Sequence, residues 1–503
     1  MLHINRECLQ RIQIWMLYFA IIFMPVLTAR KGMPLLGQYP PLWFVCIGMV
    51  VFFFEWYIYR FKINKFLLLY SLAFLGWNIA SSMIGALKFP YYSLVDMHGV
   101  GTIIARTCMN YAYLFDEITI KKIFMICTSL KDNVTFYMLS YGLLFWVYHL
   151  KKENSRFSLK KVSITMAVSL FVYAIPEILY LKFHISSCYR ILEIANGFIY
   201  DIDSHFSWYP AVIYPGGRLK SYAIEPATLG ACIAFLMPFF WDKFEESKNI
   251  KFYFLYSMMI MLIIMSKSYA AMVLLVGLYG LYFIGVYFGA FSKLNVGVIV
   301  ICVFIGVGLA NLQQISLHVS NMINHTKIEE TIDNKKETID KVLDKTFNPK
   351  VASRSTTSRL YNIKSHLNVF KQNWFCGTGL RFKDAYVRYN LADNTLSANE
   401  MKMLTEKIDK KGIPSGGYGN VNNYIYIATN FGVIGFILYF GLFLFFLYRV
   451  IWNGLYKYTK VFTLSAIVIV SMVGMMGGGA LISSFIVLGM GFAVIDDVRS
   501  ANI

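Results

Sequence analysis

The sequence has few charged side chains: only 15% of its 503 residues are Asp, Glu, Lys or Arg, whereas 57% are hydrophobic. A soluble chain would carry about a quarter charged residues. Apolar runs close to the roughly 20 residues that a membrane helix needs recur along nearly the whole length. The composition therefore excludes a soluble globular protein and indicates an all-α polytopic integral membrane protein.

The sequence also lacks the compact motifs of many soluble enzymes. Its eight cysteines include no CxxC pair, and there is no phosphate-binding glycine loop, HExxH motif or His/Cys cluster. Asp201 and Asp203 form an Asp-x-Asp pair like those that hold a metal in sugar-nucleotide enzymes, but short acidic pairs are common in loops. We therefore expect no metal and no cofactor.

Acidic residues are fewer than basic ones: the sequence has 28 Asp and Glu against 47 Lys and Arg, which gives a net charge of +19. Such an excess can indicate nucleic-acid binding, but here the cations lie between the apolar runs, where they act as orientation signals. We therefore expect no nucleic-acid partner. The predicted spans, about twelve in number, are 12–29, 41–59, 66–87, 134–150, 162–183, 224–241, 250–266, 269–290, 294–311, 423–448, 459–475 and 478–495.

The cations of the short loops predict the orientation of these spans. One set of alternate loops holds eighteen lysines and arginines, and the other holds three, Arg30, Lys31 and Lys267. Because the cation-rich side is cytoplasmic, both termini are predicted to lie in the cytoplasm. Residues 1–311 then form nine spans with outer loops at 88–133 and 184–223, residues 312–422 form one large outer loop, and residues 423–503 form the last three spans and the C-terminus.

Within the first outer loop, the stretch "VGTIIARTCMNYAYLF" (100–115) is apolar enough to enter the membrane. A full span here would reverse the orientation of everything that follows. We therefore expect a re-entrant or interfacial piece that brings Arg106 into the protein interior.

Three local patterns combine polar residues with the start of an apolar run. The first is "GGRLKSYAIEPATLG" (216–230), which leads into the sixth span. The second is "SRSTTSRLYNIKSHLNVFKQNWFCGTGL" (353–380), in which paired arginines precede a helical run and a Gly-Thr-Gly. The third is "GYGNVNNYIYIATNFGVIGFILYF" (417–440), an Asn-rich turn before the tenth span. All three fall on the outer face under the charge-derived orientation.

In these patterns the sequence resembles the bacterial O-antigen polymerase and ligase superfamily of surface-polysaccharide assembly. The family's R-x-x-S-x-x-x-E-P pattern is matched by Arg218, Ser221, Glu225 and Pro226. Its Ser-Arg, helix and Gly-x-Gly pattern is matched by Ser358, Arg359, Gly377 and Gly379. The resemblance extends from about residue 215 to 440 and rests on the order and spacing of the motifs.

The resemblance implies a metal-independent glycosyltransferase in the inner membrane of a bacterium, with its site on the outer face. A donor glycan linked to undecaprenyl diphosphate would react with a hydroxyl of the acceptor glycan, and the diphosphate would leave. Membrane lipids and a chain-length regulator are the further partners that this reading implies. Arginine suits a diphosphate because its planar fork holds phosphate oxygens bidentately and stays protonated.

The resemblance also assigns roles to individual residues. The residues that it implies for diphosphate binding are Arg218, Arg359, Arg354 and Lys267. Those that it implies for acceptor binding are Asn422 and Asn423. Glu225 is either the general base or the ion-pair partner that orients Arg218. Each cation also has an ordinary explanation, as an interfacial side chain near lipid headgroups.

One departure from the family concerns the third motif. Ligases of the superfamily commonly place a His at the head of this span, whereas this sequence has Asn422, which cannot accept a proton from an acceptor hydroxyl. We therefore expect a polymerase of repeat units, with Glu225 as the base and His366 as the next candidate. The alternatives are a ligase that uses a lipid acceptor and, from another class, a polysaccharide flippase or transporter.

Overall fold

The computed structural model describes residues 5–27, 29, 32–33, 36–97, 103–154, 157–200, 212–214, 216–246, 249–311, 354–413, 417–477 and 481–501. Four sequence features lie outside the described residues: the cations at positions 30 and 31, the Asp-x-Asp pair at 201–203, residues 312–353 of the large loop, and the side chain of Arg354.

The described residues fold into helices with isolated bridges and no extended strand. In chain order the helices are α1 (Arg6–Ile22), α2 (Pro40–Tyr59), α3 (Lys65–Lys88), α4 (Ile103–Asn110), α5 (Glu117–Tyr137), α6 (Leu143–Glu153), α7 (Leu159–Phe183), α8 (Ser186–Ile199), α9 (Pro226–Leu236), α10 (Pro238–Glu246), α11 (Ile250–Ser266), α12 (Tyr269–Tyr287), α13 (Leu294–Ala310), α14 (Arg354–Gln372), α15 (Lys383–Tyr389), α16 (Asn399–Lys411), α17 (Asn423–Trp452), α18 (Thr459–Gly474) and α19 (Leu481–Ala501).

Six helical stretches in the described part are long and apolar enough to cross a membrane: Pro40–Tyr59, Lys65–Lys88, Leu159–Phe183, Pro226–Glu246, Tyr269–Tyr287 and Asn423–Trp452. Three shorter apolar helices accompany them: Ile250–Ser266, Leu294–Ala310 and Thr459–Gly474. A helix satisfies its backbone hydrogen bonds internally, which hydrocarbon requires. The predicted fold class is confirmed: the chain is an all-α polytopic membrane protein.

The predicted fourth span, 134–150, is the second half of a longer helical unit. α5 begins at Glu117, where the side chain of Asp116 accepts the N–H of Thr119 at 3.0 Å. A π-helical turn at Met138–Gly142 joins α5 to α6. Lysines in the first half of α5 interrupt the apolar pattern that the prediction followed. The segment predicted as the first outer loop therefore contains a helix that is continuous with the span.

The predicted interfacial piece at 100–115 contains the eight-residue helix α4, which is too short to cross a membrane. Its buried residues are Ala105 and Cys108, and Arg106 is exposed. The prediction that this segment brings Arg106 into the protein interior is wrong. The apolar residues around Arg106 pack one face of α4 against α5 and leave the arginine on the other face.

Two predicted spans are interrupted helices. The span at 224–241 is formed by α9 and α10, which meet at Met237 before Pro238. Within α17, Gly432 has non-helical dihedrals, φ 67° and ψ −169°. Both interruptions are local features of the backbone, and the second one contacts the Gly-Thr-Gly of the second motif.

A second apolar core lies beside the membrane helices. It joins side chains of the 89–128 region to side chains of α14–α16, including Phe124, Phe382 and Met401. The backbones also pair, because Asp96 N–H donates to Ile413 O at 2.9 Å and Ile413 N–H donates to Leu94 O at 2.8 Å. We call the described residues of 89–128 and 354–418 the cap layer. Two segments that are distant in the sequence thus form one layer over the ends of α3 and α17.

Candidate functional site

The first motif forms a junction with the turn between α11 and α12. Arg218 Nε donates to Ser266 O at 3.2 Å, and Leu219 N–H donates to Met265 O at 3.1 Å. On the other side, Lys267 Nζ contacts Gly216 O at 3.4 Å. We call this arrangement, with Arg218 and Lys267 as its two cations, the cationic junction. The structure therefore brings these two predicted phosphate-binding residues together.

The cations of the junction are available for an anion. The Arg218 guanidinium lies 5.3 Å from the ring centroid of Tyr214 and, among the described residues, makes one hydrogen bond, through Nε. Within the described residues, neither Arg218 nor Lys267 forms an ion pair with a carboxylate. The terminal guanidinium nitrogens therefore retain the fork geometry that suits phosphate oxygens.

A buried carboxylate supports the loop behind Arg218. Glu177 of α7 accepts the backbone N–H groups of Lys220 at 3.0 Å and Ser221 at 2.8 Å. Ser221 adopts φ 54° and donates its hydroxyl to Leu170 O at 2.7 Å. The Lys220 ammonium is buried beside Asn196, and burial lowers the pKa of Lys220 to about 8 against the opposing effect of Glu177. These contacts hold the loop to α7.

Glu225 is the N-cap residue of α9, and Pro226 occupies the first helical position, where its missing N–H costs nothing. The Glu225 side chain is half-buried and makes no capping bond. It forms no ion pair with Arg218 in this structure, since the Arg218 hydrogen bond goes to Ser266 O. The carboxylate is therefore available to another group at this helix end.

The third motif forms a pocket with α14, which we call the asparagine pocket. It is lined by Ile363, His366, Gly419, Asn420, Val421, Asn422, Ile425 and Tyr426. Asn422 is the N-cap of α17, and its Oδ1 accepts the N–H of Ile425 at 3.2 Å. Asn423 is buried and accepts a hydrogen bond from the side chain of Asn420. The structure therefore brings the second and third motifs together.

Arg359 is exposed on α14, four residues before Ile363 and seven before His366. Because side chains at i, i+4 and i+7 share one face of a helix, Arg359 lies on the face of α14 that lines the asparagine pocket. Arg354 is the first residue of the same helix.

His366 is buried with both ring nitrogens engaged. Nδ1 lies 2.8 Å from Asn362 O, so this nitrogen carries the proton and donates it. Nε2 lies 3.5 Å from Lys383 Nζ, whose ammonium also donates to Tyr418 O at 2.8 Å. Burial and then the Lys383 charge lower the pKa of His366 to about 4. A proton acceptor for a hydroxyl needs a free and more basic nitrogen, so this geometry disfavours His366 as the base.

The Gly-Thr-Gly of the second motif fits into the interruption of α17. Thr378 N–H donates to Thr429 O at 2.9 Å, and Gly379 N–H donates to Asn430 O at 2.8 Å. A Cβ on Gly377, which has φ 73°, would lie 2.4 Å from the Asn430 carbonyl. The two glycines therefore allow a close backbone approach, and they anchor α14 to α17.

Sequence reasoning missed a charge cluster beside this contact. Arg381 Nε forms an ion pair with Asp132 of α5, and Lys383 Nζ lies 2.8 Å from Asp384 Oδ1. Asp384 also accepts the N–H of Tyr418 at 2.9 Å. The "RFKD" run was a visible signal of clustered charge, but its partner Asp132 is about 250 positions away, and no local pattern connects them.

The predicted site residues thus fall into two groups at the same end of the helix bundle. The cationic junction lies beside the end of α1, because Ile224 N–H donates to Pro25 O at 3.4 Å. The asparagine pocket lies at the start of α17, where the cap layer meets α3. Within the described residues no hydrogen bond or ion pair joins the two groups.

The helices and this arrangement define a polytopic membrane protein in which, within the described residues, two cations without a carboxylate partner lie at one end of the helix bundle, an arrangement that suits an anionic ligand. Residues 254–440 match the family described as O-antigen ligase. This match supports the resemblance to the O-antigen ligase and polymerase superfamily that the sequence motifs indicated. No curated protein matches the chain. The match supports an activity of the ligase or polymerase type at the level of the superfamily.

Proposed function

We propose that the protein polymerises undecaprenyl-diphosphate-linked oligosaccharide repeat units into a surface polysaccharide such as O-antigen, capsule or exopolysaccharide. The observation that carries the proposal is the cationic junction, where Arg218 and Lys267 lie together without a carboxylate partner in the described part of the chain. The reaction takes place at the outer face of the bacterial inner membrane, with both termini in the cytoplasm. Membrane lipids surround the site, and a chain-length regulator acts as a further partner.

The proposed step is a substitution at the anomeric carbon of the donor. The acceptor hydroxyl oxygen forms a bond to that carbon, the bond from the carbon to the diphosphate oxygen breaks, and undecaprenyl diphosphate leaves with the electron pair. Negative charge grows on the diphosphate, so preorganised cations lower the barrier. Arg218 and Lys267 bind the diphosphate, and Arg359 and Arg354 are the further proposed diphosphate ligands. The donor supplies its own leaving group, so the proposal includes no metal or cofactor.

The acceptor hydroxyl loses its proton to Glu225 in this scheme. Two observations support that choice over His366: the Glu225 carboxylate has no capping bond, and both nitrogens of His366 are engaged. Because Asn422 commits Oδ1 to capping α17, its Nδ2 group remains as a donor for a sugar hydroxyl. Asn423 is buried beneath it and acts by holding Asn420.

A ligase that transfers the finished glycan to a lipid acceptor is the second candidate, because the matching family is described as O-antigen ligase. Against it, position 422 carries an amide, which cannot act as a base. The two reactions differ in what they require: a polymerase needs only lipid-linked repeat units, whereas a ligase needs a separate lipid acceptor.

The test uses purified full-length protein in detergent with lipid-linked repeat units, with and without a lipid A-core acceptor. A ladder of longer glycans without the added acceptor supports polymerisation. Transfer only to the added acceptor replaces the polymerase with a ligase. No glycan product in either reaction, together with transport activity in vesicles, supports the flippase alternative.

Arg218→Ala should reduce chain extension by about 30- to 1,000-fold, because one charged contact to a developing diphosphate is worth about 2–4 kcal/mol. Arg218→Lys should recover part of the activity, since it keeps the charge and loses the fork. Arg190→Ala is the matched control, because Arg190 is an exposed arginine on α8. Equal activity of the Arg218→Ala and Arg190→Ala variants would remove Arg218 from the mechanism.

A further inference from the structure

An open cavity of about 330 Å³ lies at the opposite end of the helix bundle from the cap layer. The end of α6, the start of α7, the end of α10, the start of α18 and the second half of α19 surround it. The charge-derived orientation places this end at the cytoplasmic surface, far from the proposed glycan chemistry.

The lining carries an excess of positive charge, because it contains four lysines and two carboxylates. Two of the lysines are neutralised within the cavity. Lys160 Nζ lies 3.1 Å from Asp242 Oδ2 and also contacts Glu246, and Lys243 Nζ lies 2.7 Å from Glu246. The carboxylates are therefore already engaged.

The other two lysines, Lys151 and Lys460, have no hydrogen bond or ion pair in the described part of the chain. Both line the same cavity, where burial and then the charge of Lys460 lower the pKa of Lys151. Asp497, whose Oδ1 lies 2.6 Å from Lys152 Nζ, acts on Lys151 in the opposite direction. Two like charges that share a half-enclosed space repel each other, and an anion between them would relieve that repulsion.

The remaining wall is apolar. Phe239, Leu464 and Met490 contribute buried side chains, and all three belong to helices that cross or border the membrane. A cavity with cations at its mouth and hydrocarbon on its walls fits a molecule with a phosphate at one end and an acyl chain at the other. We propose that this cavity binds an anionic phospholipid of the cytoplasmic leaflet, with its phosphate between Lys151 and Lys460 and part of one acyl chain against the Phe239 wall.

The experiment measures binding of short-chain phosphatidylglycerol to full-length protein in neutral detergent, from the concentration dependence of the apparent melting temperature. Phosphatidylcholine and inorganic phosphate are the comparison probes. The wild type should bind phosphatidylglycerol roughly 30-fold more tightly than phosphatidylcholine, as expected for two lysines at a lipid headgroup. Lys151→Gln/Lys460→Gln should reduce that ratio to about one.

The matched control is Lys62→Gln/Lys65→Gln, which removes two exposed lysines from the same end of the bundle. It should keep the preference for phosphatidylglycerol. The proposed site would be overturned if both double variants lost the preference for phosphatidylglycerol equally. It would also be overturned if Lys151→Gln/Lys460→Gln kept that preference. Stabilisation by inorganic phosphate as strong as by phosphatidylglycerol would reduce it to a free-anion site and also overturn it. If the double variant does not fold, each single Gln variant should show about a 5-fold loss of preference, and no loss in either would refute the proposal.

Discussion

Replacing Gly432 by alanine tests the contact that joins the cap layer to the membrane helices. Gly432 has φ 67° and ψ −169°, a conformation that is essentially restricted to glycine. A Cβ at this position would lie 2.1 Å from Phe375 O and 2.7 Å from Cys376 N. Both contacts are backbone atoms, which cannot rotate away as a flexible side chain can. The segment that carries the Gly-Thr-Gly must therefore move away from α17 in the variant.

The size of the effect follows from what that movement breaks. Three backbone hydrogen bonds hold the segment: Val433 N–H to Trp374 O, Thr378 N–H to Thr429 O, and Gly379 N–H to Asn430 O, at 2.8, 2.9 and 2.8 Å. Each contributes about 1 kcal/mol net, and the disfavoured backbone conformation costs about 1–3 kcal/mol. We expect the cap layer to lose about 4–6 kcal/mol of its docking free energy.

The assay compares Gly432→Ala with Gly76→Ala, whose added Cβ meets nothing within 4 Å. The partly exposed thiol of Cys376 reports on the segment, through its rate of alkylation resolved by peptide mass spectrometry. In the Gly432→Ala variant, Cys376 should be alkylated faster and the protein should melt at a lower temperature. The Gly76→Ala variant should match the wild type in both measurements. A Gly432→Ala variant with wild-type labelling and melting would refute the proposed tightness of this junction.

Three further predictions concern the base, the buried imidazole and the orientation. Glu225→Gln should lower turnover about 100-fold or more at saturating donor while donor binding persists; near wild-type turnover would remove Glu225 as the base. In the folded state His366 holds fewer protons than in the unfolded state, because its pKa is lowered to about 4. Stability should therefore fall by about 3 kcal/mol as the pH drops from about 6.5 to 4, and melting of His366→Gln should lack this component; an unchanged acid profile would contradict the burial. A cysteine in place of the exposed Ser397 should react with an impermeant thiol reagent in intact spheroplasts, and labelling only after lysis would reverse the predicted orientation.

Local signals account for the parts that the sequence predicts well. The start of α9 follows from Pro226 at the first helical position, and the start of α17 follows from the capping residue Asn422, because such signals act within one turn of the helix. The apolar runs likewise reveal the membrane helices, since hydrocarbon requires an apolar surface along the whole element. The start of α5 at Glu117 also has a local signal, the N-cap residue Asp116. Lysines in the helix lower its hydropathy, so the apolar pattern alone does not predict it.

The parts that the sequence does not predict depend on distant partners. Glu177 supports the loop at Lys220 and Ser221 from more than 40 positions away, and Arg381 pairs with Asp132 across about 250 positions. The hydrophobic periodicity of a sequence does not predict such a pair, because it describes only one helix or strand at a time. The glycines of the Gly-Thr-Gly looked like part of a binding motif, whereas the structure shows that they permit backbone contact with α17.

The starts of α9 and α17 also differ in what they offer a substrate. A helix N-terminus carries partial positive charge from its unbonded N–H groups. At α17, Asn422 already accepts one of these groups, and its remaining amide donor suits a neutral hydroxyl. At α9, the N-cap residue Glu225 makes no capping hydrogen bond, and in the proposed reaction the partial positive charge of this helix start adds to the charges of Arg218 and Lys267. We therefore propose that the diphosphate binds at α9 and the acceptor sugar at α17, with Glu225 at the head of α9. The acceptor hydroxyl must then reach from the asparagine pocket towards α9 to transfer its proton, so the proposed reaction requires the glycan to bridge the two groups of residues.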